Sequence, residues 1–131
     1  MADPTSVAQE YFDALSAKDF ATVAAMFADD IRWHQPGGNR FSGTHDGSAA
    51  VGALLAGMTT VSDGSFELTL TGPLMANGAL VAAPVHFAAK RDGAVMDQDG
   101  VDVLRVEDGR IAEVWLFSGD AAEEDDFWGA A

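Results

Sequence analysis

Three histidines, His34, His45 and His86, are the side chains of this chain that titrate nearest to neutral pH. Metal sites in proteins use ligands at short, characteristic spacings, and these three histidines lack such a spacing. The absence of cysteine removes thiolate ligands, thiolate nucleophiles and disulfides. The sequence therefore predicts no metal site and no cofactor, which leaves acid–base chemistry on oxygen groups.

Carboxyl groups are concentrated in one stretch of the C-terminal half, at Asp97, Asp99 and Asp102. Two carboxyl groups at one pocket can divide the roles of acid and base between them. A bulge at Gly100 would change the face on which Asp99 lies. The alternative, which we favour for Asp97 and Asp99, is a solvated strand end after a hairpin. Ser118 has no histidine and aspartate in a recognisable arrangement, so a nucleophilic hydroxyl is not expected.

The N-terminal half has three amphipathic helical segments, separated by capping and turn residues. Asp3, Asp19 and Ser48 are the predicted N-caps, and a short strand from Ile31 to Gln35 lies between the second and third helices. The predicted apolar stripes are Val7, Tyr11 and Leu15; Phe20, Val23, Ala24 and Phe27; and Val51, Leu54, Leu55 and Met58.

After Ser62-Asp63-Gly64 the apolar residues alternate with polar ones, which indicates strands. Asn77-Gly78 is a strong hairpin signal, and Pro84 implies a sheet edge or a bulge. The predicted strands are 66–70, 81–87, 95–106 and 110–118, joined as an antiparallel meander. Helices followed by antiparallel strands define an α+β protein.

The last predicted strand has apolar side chains on both faces, with Ile111, Trp115 and Phe117 on one and Ala112, Val114 and Leu116 on the other. Such a sheet needs cover on both sides. Since three helices cover one face, we expect a second copy of the chain on the other, as a homodimer.

The composition is that of one acidic globular domain spanning residues 1–131, with 48% apolar residues and a net charge of −14. An acidic surface repels phosphate groups, so nucleic acid and membranes are not expected partners. The N-terminus lacks the features of a secretion signal, and no apolar run could span a bilayer, so we expect a cytoplasmic protein. Residues 120–131 are predicted to be a solvated acidic tail, in which Phe127 and Trp128 fold back as a lid or a dimer contact.

Four segments resemble the nuclear transport factor 2-like superfamily, in its ketosteroid isomerase and SnoaL-like polyketide cyclase branch. They are Val7–Phe20, Met26–Trp33, Gly43–Gly47 and Val101–Trp115. The resemblance implies a cystatin-like α+β barrel, a cone-shaped curved sheet packed on the three helices. It also implies that Tyr11 and Asp102 are the two donors of an oxyanion hole.

The position at which the resemblance implies a catalytic base holds Gln35, which cannot take a proton at neutral pH. The resemblance also places Asp102 on the inner face, where burial would raise its pKa. Strand alternation then places His34 and His86 on the opposite face, whereas His45 could cover the pocket mouth. The expected pocket lining is Trp33, Gln35, Ala83, Val85, Phe87, Leu104, Val114, Leu116 and Ser118.

An apolar pocket with a few converging polar groups suits a small hydrophobic ligand with a carbonyl or hydroxyl group. One hypothesis is a cofactor-free isomerase or cyclase that works by acid–base chemistry through Asp102 and Tyr11. The alternative is a dimeric binding module for an apolar metabolite, which Gln35 suits as a hydrogen-bonding group. A structural dimer with a vestigial pocket is the third possibility.

Overall fold

The computed structural model describes residues 3–130, so Met1, Ala2 and Ala131 of the predicted domain lie outside the described residues. Within this range there are four helices and seven strands, and no helix combines the length and apolarity needed to cross a membrane. In chain order the elements are α1 (Pro4–Ser16), α2 (Phe20–Ala25), β1 (Phe27–Gln35), β2 (Gly43–Asp46), α3 (Ser48–Val61), β3 (Glu67–Leu70), β4 (Met75–Asn77), β5 (Leu80–Arg91), β6 (Ala94–Glu107), β7 (Arg110–Ser118) and α4 (Ala121–Trp128).

The first two helices begin at the predicted caps. The side chains of Asp3 and Asp19 accept hydrogen bonds from the backbone amides of Ser6 and Thr22, which satisfies donors that a helix start leaves unpaired. The prediction that Phe27 ends α2 is wrong, because Phe27 is the first residue of β1. Ser48 is the first residue of α3 rather than its cap.

The strands form one open mixed sheet in the order β2-β1-β7-β6-β5-β3, with β4 also paired to β5. All neighbours are antiparallel except β1 and β7, which run parallel. The α+β class is therefore confirmed. The loop predicted before α3 contains the short strand β2, whose Gly43–Asp46 pairs with Arg32–Gln35 of β1.

The predicted bulge at Gly100 is wrong, because the pairing of β6 with β5 runs through Gly100 without a shift and the regular pairing with β7 begins at Gly100. A glycine is needed there because a Cβ would collide with the carbonyl oxygen of Phe117. The shift lies between Arg105 and Val106, where β7 has the extra residue Ala112. It brings Ile111 onto the inner face with Val114, so the predicted outer position of Ile111 is wrong.

The predicted solvated tail is wrong for residues 121–128, which form α4. Asp120 caps this helix by accepting a hydrogen bond from the amide of Glu123, at 3.0 Å. Phe127 and Trp128 are buried in the hydrophobic core of their own chain. Helix α4 therefore closes one end of the curved sheet.

Polar contacts anchor α4 at several points. The Asp125 carboxylate accepts hydrogen bonds from the Gly38 amide and from Asn39 Nδ2, at 2.8 and 2.9 Å. Arg91 donates to the carbonyls of Phe127 and Asp126, and its guanidinium lies 5.6 Å from the centroid of the Phe127 ring. These contacts fix the helix against the β1–β2 loop and the end of β5.

Replacing Arg91 tests this anchoring. Arg91→Ala removes two charge-assisted hydrogen bonds, and we expect local opening of α4 to become easier by about 2 kcal/mol, or roughly 30-fold faster amide exchange. The measurement is native-state hydrogen exchange on the α4 amides, with the exposed neighbour Lys90→Ala as the control. Equal protection in both variants would show that α4 does not depend on Arg91.

Candidate functional site

A cavity of about 120 Å³ lies between the inner face of the sheet and helices α1, α3 and α4. Its wall is mainly apolar, with Leu55, Met58 and Phe66 among the lining residues. Its lining also includes Phe20, which is 44% exposed. Since engineered apolar cavities of about 150 Å³ accept benzene, this cavity suits a molecule of about one ring.

Most of the side chains that the sequence placed at the pocket border this cavity. They are Tyr11, Trp33, Gln35, Phe87, Asp102, Leu116 and Ser118. Ala83, Val85, Leu104 and Val114 are instead fully packed in the core. Strand alternation gives the face on which a side chain lies and not its depth along the sheet, which accounts for the difference.

Tyr11 and Asp102 have their polar groups at the cavity although their side chains are only 1% and 6% exposed. Within residues 3–130 neither side chain makes a hydrogen bond, yet no polar side-chain atom sealed from solvent lacks a partner. The Tyr11 hydroxyl and the Asp102 carboxyl group therefore open onto the cavity. Both groups line the same cavity.

Burial sets the protonation of both groups. Desolvation, followed by the negative charge of Glu124, raises the pKa of Asp102 to about 7. Desolvation and the nearby Asp102 also raise the pKa of Tyr11 above its ordinary value. At neutral pH the Tyr11 hydroxyl keeps its proton and a large fraction of Asp102 is a neutral carboxylic acid, so both can donate hydrogen bonds.

Gln35 lies at the end of β1 and is held by its neighbour. Its Oε1 accepts a buried hydrogen bond from Trp33 Nε1, at 3.0 Å. Its Nε2 amide group has no hydrogen-bond partner among residues 3–130 and is not sealed from solvent, and Gln35 lines the cavity. Gln35 can therefore donate a hydrogen bond to a ligand.

Glu124 is the titratable cavity residue that the sequence analysis missed. It lies on α4 with a side chain only 5% exposed, and its two carboxylate oxygens accept hydrogen bonds from Ser118 Oγ and Trp128 Nε1. Desolvation raises its pKa, whereas these two hydrogen bonds act in the opposite direction. The signal was its spacing of three and four residues from Phe127 and Trp128, which puts all three on one helix face.

The comparison with known proteins identifies the family. Residues 8–114 match the model of the SnoaL-like domain. The chain belongs to this family. An uncharacterised protein of Mycobacterium tuberculosis is 31% identical over 117 residues, which is 89% of each chain. The predicted membership of the nuclear transport factor 2-like superfamily is thereby confirmed.

Solved structures support the SnoaL-like fold. A protein of unknown function with a cystatin-like fold, from Xanthomonas campestris, is 43% identical, with a TM-score of 0.94 over 98% of this chain and 99% of that one. A putative ketosteroid isomerase from Kribbella flavida is 28% identical, with a TM-score of 0.70 over 92% and 80%. A putative polyketide cyclase from Pseudomonas putida is 18% identical, with a TM-score of 0.75 over 98% and 100%, and so shares the fold.

The three histidines of this SnoaL-like domain lie away from the cavity wall. His34 stacks on Trp115 on the outer face of the sheet, and His45 Nε2 lies 2.8 Å from the carbonyl oxygen of Phe41. His86 contacts the carboxylates of Asp97 and Asp99 on the outer face, each at 2.8 Å.

The contacts of His86 explain the direction of its pKa shift and the positions of Asp97 and Asp99. The hydrogen bond to Asp99 and the charges of Asp97 and Asp99 raise the pKa of His86. Asp97 and Asp99 are thus exposed partners of a surface histidine rather than cavity residues. Among residues 3–130 there is no group of three or more His, Asp or Glu side chains placed to hold a metal ion.

The raised pKa of Asp102 predicts a pH-dependent stability. Between pH 4 and about 7 the native state holds a proton that an unfolded aspartate has lost, so the free energy of unfolding falls as pH rises, by at most about 1.4 kcal/mol per pH unit. The buried Glu124, whose pKa is also raised, acts in the same direction.

We expect Asp102→Asn to remove most of this slope, since asparagine does not titrate. Urea unfolding of both proteins at pH 5 and pH 8 measures it, with the exposed Asp30→Asn as the control that keeps the slope. A wild-type protein equally stable at both pH values would contradict a buried, protonated Asp102.

Proposed function

We propose that this SnoaL-like protein is a cofactor-free isomerase of a small, neutral, apolar carbonyl compound. The observation that carries the proposal is the pair of oxygen acids, Tyr11 and Asp102, whose polar groups open onto a mainly apolar cavity. Two such donors can hold the oxygen of an enolate, which carries negative charge only after a proton has left the substrate.

The reaction moves one proton and leaves the composition of the substrate unchanged. A base takes the proton from the carbon next to the carbonyl group, and the electron pair of that C–H bond forms the enolate. Tyr11 and Asp102 donate hydrogen bonds to the enolate oxygen, and the proton returns to a different carbon. A carboxylic acid kept neutral by burial performs this donor role in ketosteroid isomerase.

The size and charge of the site restrict the substrate. A cavity of about 120 Å³ holds one ring, which favours isomerisation of a small cyclic ketone over cyclisation of a long polyketide chain. Two carboxyl groups at the cavity and a net charge of −14 disfavour anionic substrates. The absence of cysteine suits the reducing cytoplasm, where we expect the protein to act.

The names of two similar proteins agree with enolate chemistry. The Kribbella flavida structure is that of a putative ketosteroid isomerase, and the Pseudomonas putida structure is that of a putative polyketide cyclase. Both names describe reactions at carbon next to a carbonyl group. They support the class of reaction and leave the substrate open.

Isomerisation of 3-cyclohexenone to its conjugated isomer tests the proposal. We expect the wild-type protein to catalyse it and Tyr11→Phe and Asp102→Leu each to lower kcat/KM by about 10²-fold, since each removes one donor to the enolate oxygen. Asp99→Leu, on the outer face of the same strand, is the matched control and should retain full activity. The ultraviolet absorbance of the conjugated product measures the rate.

Binding of the saturated analogue cyclohexanone, measured by calorimetry, separates the alternatives. Wild-type protein that binds it but converts no 3-cyclohexenone would favour the binding module, in which Gln35 is a ligand donor. Protein that neither binds nor converts these compounds would contradict the isomerase.

We also propose that the protein is a homodimer that pairs through the outer face of its sheet. Two rows of side chains cross this face in register. One is Pro84, Val101 and Phe117, and the other is Ala82, Val103, Trp115 and His34. Val101 and Phe117 are 39% and 56% exposed, so a second copy would remove apolar surface from water.

Charges around these rows suit a contact between two copies of the same surface. Arg105 lies near Glu113 and Glu107, and Arg32 pairs with Asp46, at 2.8 Å. A twofold interface places the same patch opposite itself, so a patch with both signs of charge can be complementary to its copy.

The solution mass tests the dimer. We expect wild-type protein to show twice the chain mass of 13.7 kDa in light scattering after size exclusion. Val101→Glu should weaken the dimer by at least about tenfold, because it buries an unpaired charge. Val95→Glu, which changes an exposed valine of β6 outside the two rows, is the control. A monomeric wild-type protein at micromolar concentration would refute the interface.

A further inference from the structure

Glu124 is oriented at the cavity by two hydrogen bonds, one to each oxygen of its carboxylate. Ser118 Oγ, at the end of β7, donates to Oε1, and Trp128 Nε1 donates to Oε2. A carboxylate offers about four acceptor positions, so positions remain for a proton taken from a ligand. Glu124 itself borders the cavity, together with both of its donors.

The helix that carries Glu124 is fixed on both sides. Gln98 Nε2 donates to the carbonyl of Asp120 and to Glu123 Oε1, and Gln98 Oε1 accepts from the Asp120 amide. The anchors at Arg91 and Asp125 hold the rest of α4. A site residue on a helix held in this way has a defined position relative to the opposite wall.

We infer that Glu124 is the catalytic base of the cavity, supplying the proton acceptor that Gln35 cannot provide. The inference rests on the proposed isomerase and names a catalytic residue for it. The Glu124 carboxylate takes the proton from the carbon next to the carbonyl group, and the C–H electron pair becomes the enolate. The resulting carboxylic acid then returns that proton to the γ carbon, so no further reactant is needed.

The division of roles between Glu124 and Asp102 follows from their contacts. Glu124 accepts two hydrogen bonds, which favour its ionised form, whereas Asp102 accepts none from the described residues. The charge on Glu124 in turn favours the protonated form of Asp102. One carboxyl group is thus equipped to accept a proton and the other to donate a hydrogen bond.

A purely structural role is the alternative, in which Glu124 only joins Ser118 to Trp128. Proton exchange distinguishes it from catalysis. In D₂O, proton NMR of 3-cyclohexenone reports the loss of the C2 protons to solvent and, separately, the appearance of the conjugated isomer. The first signal measures proton abstraction followed by exchange of the Glu124 carboxylic acid with solvent, and the second measures the complete reaction.

We expect Glu124→Gln to lower both rates by at least about 10²-fold, as loss of a general base does. Asp126→Asn, which removes one charge from an exposed position of the same helix, should keep both rates. Circular dichroism and thermal unfolding of each variant establish that the fold is retained. Unchanged rates in a folded Glu124→Gln protein, with loss of activity in Asp102→Leu, would overturn the role of Glu124 and leave the isomerase intact.

A second variant keeps the carboxylate and covers the case in which Glu124→Gln does not fold. Ser118→Ala removes one hydrogen bond to the ionised form, so the pKa of Glu124 rises and the acidic limb of the pH–rate profile moves to higher pH. The charged and titratable groups around Glu124 are Asp102 on β6, Asp125 on α4 and Tyr11 on α1. An acidic limb that does not move would overturn the inference.

The remaining outcomes separate the two proposals. Exchange without isomerisation in the wild-type protein, abolished in Glu124→Gln, would support the base and contradict the isomerase. A wild-type protein that shows neither exchange nor isomerisation would overturn both the isomerase and the base.

Discussion

The carboxyl groups of Asp102 and Glu124 lie at one mainly apolar cavity. Ionising both groups there is energetically unfavourable, and this constraint determines their protonation. Desolvation penalises the charged form of each, and the charge of Glu124 further raises the pKa of Asp102. The two carboxyl groups differ in their hydrogen-bond partners. Ser118 and Trp128 donate hydrogen bonds to Glu124, whereas Asp102 lies beside Tyr11 among apolar side chains. Unequal surroundings are the means by which a protein gives two similar acids different roles.

This division depends on the docking of α4, which brings Glu124 and Trp128 to the cavity. The helix has acidic residues at four successive positions, 123–126, and their side chains have different surroundings. Glu123 bonds to Gln98, Glu124 faces the cavity, and Asp125 bonds to the loop after β1. An acidic segment would repel itself if it were packed without partners, so these donors are what allow it to cover the end of the sheet.

The sequence was sufficient for the class of fold because its signals are local. Helix caps at Asp3 and Asp19, the Asn77-Gly78 hairpin and alternating strands all act over a few residues. The sequence was insufficient for features that depend on contacts between residues far apart in the chain. The run 123–126 has the composition of a solvated segment, and the contacts of α4 with Arg91 and Gln98 that dock it join residues far apart in the chain. The spacing of Glu124 from Phe127 and Trp128 was its only local signal. The register shift at Ala112 depends on the pairing of β7 with β6, and the alternation of apolar and polar residues along β7 does not indicate it.

The position of Gln35 now has a physical explanation within the proposed reaction. Its oxygen is engaged by Trp33, so it offers the cavity a donor on β1, where the family resemblance implied a base. With the acceptor on α4 and the donors Tyr11 and Asp102 on α1 and β6, the two ends of the substrate must face different elements. The carbonyl oxygen points to α1 and β6, and the acidic carbon points to α4. A base delivered by a C-terminal helix therefore changes the orientation of the substrate and leaves the oxyanion donors on the elements where the resemblance places them.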